Sequence, residues 1–121
     1  MSSFAKIIKL PKFTDKGSLT VLEKVLPFGL KRIYWIYDSD GYERGGHRHI
    51  KTRQAFVAMS GEVEIYMSNG KEEKTIILNK PNELLIVEPE DWHSLNFSNG
   101  GVLVVFASDY YDINDYIEER C

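Results

Sequence analysis

Gly41-Tyr42-Glu43-Arg44-Gly45-Gly46-His47-Arg48-His49-Ile50-Lys51-Thr52-Arg53-Gln54 is the stretch on which the reading of this chain turns. In an extended strand, side chains two apart share a face. His47, His49 and Lys51 therefore line one side, and Arg48 and Ile50 the other. Two imidazoles and an ammonium on one inward face make a poor core, because a buried polar group is costly unless it finds a partner. The chain has 3 histidines, and two of them stand here. That concentration points to a site rather than to an exposed hairpin edge.

Short β-rich runs surround this stretch. They cover residues 4–10, 19–25, 30–37, 47–51, 55–59, 62–67, 74–78, 84–87, 92–97 and 102–107. Pro11, Pro27, Asp38-Ser39-Asp40-Gly41, Ser60-Gly61, Asn69-Gly70, Pro81-Asn82 and Asn99-Gly100-Gly101 punctuate them. Asn69-Gly70 fits a hairpin turn, since both residues tolerate positive φ. About ten short strands at near-regular spacing predict an all-β sandwich or barrel. A barrel also removes the free edges that so many strands would expose. Only residues 113–120 leave room for a helical turn. With no internal repeat, low-complexity tract or linker, residues 1–121 read as one domain.

A chain of 121 residues that is 43% hydrophobic can build one real core. It still leaves much of its surface wet, which favours pairing with a second copy. The net charge of -3 disfavours a general nucleic-acid binder. Residues 1–53 carry 11 basic and 5 acidic side chains, whereas residues 54–121 carry 4 and 13. A basic first half suits a small anionic ligand, although compositional drift gives the same asymmetry. The single cysteine, Cys121, cannot staple the fold. Residues 1–13 lack the apolar stretch of a signal peptide. No segment approaches the roughly 20 apolar residues of a membrane span. The expectation is a cytoplasmic protein with neither a membrane nor a nucleic-acid partner.

The spacing of Gly41, His47-x-His49, Gln54 and Gly61 resembles the first motif of the cupins. There the position of Gln54 is usually a glutamate that completes a metal site. Pro89-Glu90-Asp91-Trp92-His93-Ser94-Leu95-Asn96 resembles the second motif, with Asp91 in place of Gly and the histidine displaced by one. This resemblance implies a cupin double-stranded β-helix, a jelly-roll barrel with little helix. A narrower one is carried by Arg32-x-Tyr34, Arg44-Gly45-Gly46-His47-x-His49, Gln54, Gly61, Trp92, Phe97-Ser98 and the tail Tyr111-Asp112-x-x-Asp115-Tyr116-Ile117. These residues look like the nucleotide-sugar 3,4-ketoisomerases, which act on thymidine-diphosphate-4-keto-6-deoxyglucose. The family usually has Ala between the histidines and Lys directly after them. This chain has Arg48 and Ile50, with Lys51 next.

The resemblance implies migration of a carbonyl from C4 to C3 through an enediol, without metal or cofactor. It also implies a homodimer and a place in the making of deoxyaminosugars for a surface glycan. Histidine suits the step because its ordinary pKa near 6.5 lets it take and return protons near neutral pH. His49 is expected to carry the proton, with His47 as its partner. Gln54 suits a metal-free site, since an amide supplies no anionic ligand oxygen.

The expected substrate-binding set is Arg32, Tyr34, Tyr37, Arg44, Lys51, Gln54 and His93. Tyr34 and Tyr37 are candidates to hydrogen-bond the sugar or stabilise the enediolate. Three apart in a strand, they face opposite sides unless a bulge intervenes, and plain strand packing is the alternative for each. Arg32 shares the parity of Tyr34, and Arg44 precedes the histidine strand. A guanidinium fork from either suits a diphosphate. His93 is expected at the pocket without a catalytic role, Trp92 in the core, and Glu88, Glu90 and Asp91 in a solvated loop. Two rival readings stand beside this one. A metal-dependent cupin oxygenase or isomerase would hold iron, manganese or zinc on His47, His49 and His93, with Gln54 a weak fourth ligand. A sugar-binding cupin would bind without chemistry, and the pair His47 and His49 speaks against it.

Overall fold

Two long strands organise the barrel. The computed structural model describes residues 4–120. Its strands are β1 (Ile7–Lys9), β2 (Lys12–Thr14), β3 (Ser18–Thr20), β4 (Arg32–Ile36), β5 (Glu43–His49), β6 (Gln54–Ser68), β7 (Glu73–Leu78), β8 (Glu83–Val87), β9 (Trp92–Ala107) and β10 (Tyr116–Ile117). β6 runs antiparallel to β9 from Gln54↔Ala107 to Ser68↔Trp92. The first part of β6 also pairs with β8 and its last part with β7. The first part of β9 pairs with β5 and its last part with β4. β1 extends the sheet beyond β8, and β10 extends it beyond β5. β6 and β9 thus belong to both halves of one folded sheet, which is the expected jelly-roll cupin barrel.

The sequence suggested breaks at Ser60-Gly61 and at Asn99-Gly100-Gly101. These are corners within single strands instead, and the β6–β9 ladder shifts register around Ser60 but continues. Gly61 sits at φ +62°, and a Cβ there would lie 2.5 Å from the Asn99 carbonyl oxygen. Only glycine lets the two corners approach this closely. Inside the fold, Phe56, Ile65, Met67, Leu85, Leu95, Leu103 and Val105 form one continuous core. Burying each such side chain contributes about 1.5–3 kcal/mol. A second cluster, around Ala55, Val57, Leu84 and Ile86, packs on the outer face under Leu22, Val25, Leu26 and Phe28.

Several expectations are corrected. Residues 21–25 are not strand, because after β3 the chain leaves the ladder to lay its apolar side chains on that outer face. The histidine strand begins at Glu43 rather than His47. The C-terminal segment forms only a three-residue 3-10 turn, Ile113–Asp115, before β10. The N-terminal run forms β1, which pairs with β8. Asp91 is not in solvent but buried, and its Oδ2 accepts the Glu88 N–H at 3.0 Å. Glu88 is taken by Arg53 through two hydrogen bonds, and Glu90 pairs with Arg48.

Candidate active site

Strand register brings the histidines together. His47 stands directly opposite His93 across β5 and β9, and Tyr116 stands opposite His49 across β5 and β10. An irregularity between Gly45 and His47 sets this alignment. Gly45 has φ +80°, and a Cβ on it would come within 3.0 Å of the His93 carbonyl oxygen. The His47 ring lies 5.0 Å from both His49 and His93, and His49 and His93 stack at 6.1 Å. Tyr116 closes the cluster at 4.8 Å from His47 and 4.5 Å from His49.

A pocket of about 490 Å³ opens onto this cluster, with Arg32, Tyr34, Arg44, His47, Phe56, His93, Tyr111 and Tyr116 in its wall. Trp35 and Tyr37, at 60% and 58% exposure, stand at its rim. Among the described residues, no carboxylate lines it. Arg32, Tyr34 and Ile36 are the half-buried positions of β4, while Ile33 and Trp35 face outward. Arg32 reaches 5.1 Å from the Tyr34 ring centroid and 5.8 Å from that of Tyr111. Its Nε is buried and has no hydrogen-bond partner.

Three of the expected site residues stand outside the wall. His49 lies one ring behind His47 and is only 2% exposed. Gln54 is buried, and its Nε2 donates to the Tyr34 hydroxyl at 3.0 Å. Lys51 lies beyond the end of β5, is exposed, and directs its ammonium to Asp112 at 3.5 Å. The alternation that aligned Lys51 with the histidines ends where the strand ends.

Burial is the dominant electrostatic influence. It pushes His93 down to about 3, against the hydrogen bond to the Asp91 carbonyl. Burial, and then the neighbouring His49, push His47 down to about 4. His49 is lowered by burial, although Asp115 opposes the shift. Burial and Tyr116 push Tyr34 up to about 12, so its hydroxyl remains protonated. At neutral pH the site therefore holds neutral imidazoles, a neutral phenol and two guanidinium groups. One ring nitrogen from each of His47, His49 and His93 lies within 4.8 Å of the others, a set able to hold a divalent ion.

Asp115 and Thr52 were missed as site residues. Asp115 Oδ2 faces His49 Nδ1 at 3.0 Å and accepts the Thr52 hydroxyl hydrogen. Asp115 appears in the quoted tail, but it is 66 residues from His49 and no spacing rule connects them. Trp92 is in the core as expected, and its Nε1 donates to the Glu118 carbonyl at 2.8 Å, which fastens the C-terminal segment over the cluster.

This architecture has close counterparts. The family described as FdtA: WxcM-like, C-terminal, matches residues 3–121. A TDP-4-oxo-6-deoxy-alpha-D-glucose-3,4-oxoisomerase of Aneurinibacillus thermoaerophilus is 40% identical over 119 residues, covering 94% of this chain and 86% of that protein. The crystal structure of a 3,4-ketoisomerase from Helicobacter canadensis superposes with a TM-score of 0.90 at 40% identity, covering 96% of this chain and 91% of that one. The Thermoanaerobacterium thermosaccharolyticum 3,4-ketoisomerase QdtA was crystallised as a His-to-Asn mutant with TDP-4-keto-6-deoxyglucose. It matches with a TM-score of 0.89 at 39% identity, covering 98% of this chain and 90% of that one. By these matches the chain belongs to the FdtA family of sugar 3,4-ketoisomerases.

Proposed function

We propose that this isomerase converts TDP-4-keto-6-deoxyglucose to a TDP-3-keto-6-deoxyhexose, with His47 as the proton-transfer residue at carbon. The observation that carries the reading is the convergence of His47, His93 and the protonated Tyr34 hydroxyl on one pocket that also holds two arginines and, among the described residues, no carboxylate. His47 takes the C3 hydrogen as a proton, and the electron pair moves to form the C3–C4 double bond while O4 becomes an enediolate oxygen. The same imidazolium returns the proton at C4. The proton on O3 is relayed to O4, leaving the carbonyl at C3 and a hydroxyl at C4. His47 is preferred over His49 because it reaches the wall, whereas His49 stands behind it.

Tyr34 supports the enediolate. Gln54 Nε2 donates to its hydroxyl oxygen at 3.0 Å, which leaves the hydroxyl hydrogen to point elsewhere. A donor aimed at developing charge in a dry site is worth far more than the same donor in water. Arg32, with its unpartnered buried Nε, and Arg44 suit the diphosphate. The exposed rings of Tyr37 and Tyr111 offer flat surfaces to the nucleoside base.

The working form is proposed to be a cytoplasmic homodimer. Ile33 and Trp35 on the outer face of β4, and Phe13 opposite Leu19 on the β2–β3 hairpin, are exposed apolar surfaces for a second copy. Light scattering at micromolar protein tests this, and a monomer mass refutes it.

The decisive assay incubates the protein with TDP-4-keto-6-deoxyglucose and traps the 3-keto product with an aminotransferase. Absence of product from folded wild-type protein overturns the assignment. The histidine cluster gives a metal-dependent reading its one supporting observation. A near-stoichiometric metal whose removal abolishes turnover favours that reading, and unchanged turnover in strong chelator favours the metal-free one.

A further inference from the structure

Asp115 takes no part in the chemistry just described, yet among the described residues its carboxylate is the one hydrogen-bonded to the histidine cluster. It is 4% exposed. Its two oxygens have separate tasks. Oδ1 accepts the backbone N–H groups of Ile50 at 3.1 Å and Lys51 at 2.8 Å, fixing the turn that ends β5. Oδ2 faces His49 Nδ1 at 3.0 Å and accepts the Thr52 hydroxyl hydrogen. Burial opposes the charge on Asp115, but the bonds from Thr52, Lys51 and His49 outweigh it and hold the carboxyl below its ordinary range. An ionised carboxylate only accepts hydrogen bonds. His49 Nδ1 must therefore carry its hydrogen, and the other nitrogen, Nε2, is left bare. That Nε2 is buried and has no hydrogen-bond partner.

The charges around His47 give this arrangement a use. When His47 takes the C3 proton it becomes an imidazolium in a buried site. The described groups facing the cluster are His93 on β9, Tyr34 and the cationic Arg32 on β4, Arg44 and His49 on β5, and Tyr116 on β10. None of them is an anion. Among the described residues, the carboxylate hydrogen-bonded to the cluster is that of Asp115, reached through the His49 ring 5.0 Å from His47.

We infer that Asp115 is a positioning residue of the isomerase, which holds His49 as the Nδ1–H tautomer and through that ring supplies the counter-charge for protonated His47. The inference rests on the proton-transfer role proposed for His47. It applies the physics of a buried aspartate behind a catalytic imidazole, which orients the ring and stabilises the imidazolium without taking the proton. Here one further ring stands between the two.

Asp115→Asn separates the two tasks. Asn keeps Oδ1 for the backbone N–H groups of Ile50 and Lys51, so the turn persists. Its amide puts N–H donors where Oδ2 stood, so His49 Nδ1 must become the acceptor and the proton moves to Nε2. The expected result is a folded enzyme whose KM for the nucleotide sugar stays within about threefold, while kcat falls about 10²-fold or more. Long-range proton–nitrogen NMR of histidine-labelled protein reads the tautomer directly. Wild-type His49 should show Nδ1–H and a bare Nε2, and the variant the reverse. A folded variant with kcat within about threefold of wild type overturns the inference. So does a wild-type His49 bearing its hydrogen on Nε2, which is decisive even if the variant does not fold. Wild-type protein without isomerase activity would instead overturn the functional reading, with the tautomer result unaffected.

Discussion

Lowering the pH from 6.5 to 5 is expected to remove about 2 kcal/mol of folding stability through His93 alone. His93 is 2% exposed, with Nδ1 held to the Asp91 carbonyl at 3.0 Å. Burial first, and then the neighbouring imidazoles, push it down to about 3 against the effect of that hydrogen bond. In the unfolded chain the same ring titrates near 6.5. Below that pH the unfolded state binds a proton that the folded state refuses. Stability therefore falls by about 1.36 kcal/mol per pH unit until the folded pKa is reached, and about 1.5 units gives the stated loss. His47, pushed down to about 4, acts in the same direction but is less buried. Asp91 acts against both. Burial pushes it up to about 6, so the folded state gains stability as pH falls through that value. The comparison of wild type with His93→Gln isolates His93, because Asp91 and His47 are present in both. Urea unfolding followed by tryptophan fluorescence at pH 7, 6, 5.5 and 5 gives the two slopes. The wild type should lose stability more steeply than the variant by about 1.4 kcal/mol per unit. Equal slopes would refute a dry, neutral His93.

Four further outcomes follow from the site. His47→Asn should leave the fold intact and lower kcat by about 10²- to 10⁴-fold in the aminotransferase-coupled assay, with His49→Asn costing less. A larger loss at His49 would return the base to that ring. Tyr34→Phe should lower kcat by about 10²-fold, as loss of one donor to developing charge does, with KM little changed; an effect on KM alone would make Tyr34 a binding residue. Arg32→Met should raise KM about ten- to a hundredfold, the equivalent of one charge-assisted bond of about 1.5–3 kcal/mol, and an unchanged KM would assign the diphosphate elsewhere. Lys51→Ala should alter kcat/KM by about threefold or less, because its exposed contact with Asp112 is worth little; a larger loss would draw Lys51 into the site.

The fold was legible where local chemistry dictates it. Parity set Arg32 and Tyr34 on one face of β4, and β-rich composition located the runs that became β6, β8 and β9. Continuity was not legible. Ser60-Gly61 and Asn99-Gly100-Gly101 carry the composition of turns between strands, and nothing local distinguishes a turn from a corner within one strand. The distinction lies in the approach of Gly61 to the Asn99 carbonyl, made by residues 38 apart in sequence. Residues 21–25 failed for a related reason. They were read as part of a β-rich strand run, but their apolar side chains cover a sheet face without joining its ladder.

The same division runs through the site. Period-two alternation was enough to set His47 and His49 on one face, because both lie within β5. It failed at Lys51, since periodicity holds only while the ladder lasts, and β5 ends at His49. Nor could it rank the two histidines. That order depends on depth, and depth depends on what stands behind each ring. For His47 it is the open pocket, and for His49 it is Asp115 and Tyr116, brought in by a two-residue strand near the C-terminus. The tail could be quoted as part of a resemblance but could not be read, because its contribution is a pairing across β5 rather than a pattern within itself. The chemistry-bearing residue types are thus a property of the local sequence, while their division into a ring that meets the sugar and a ring that supports it is a property of the topology.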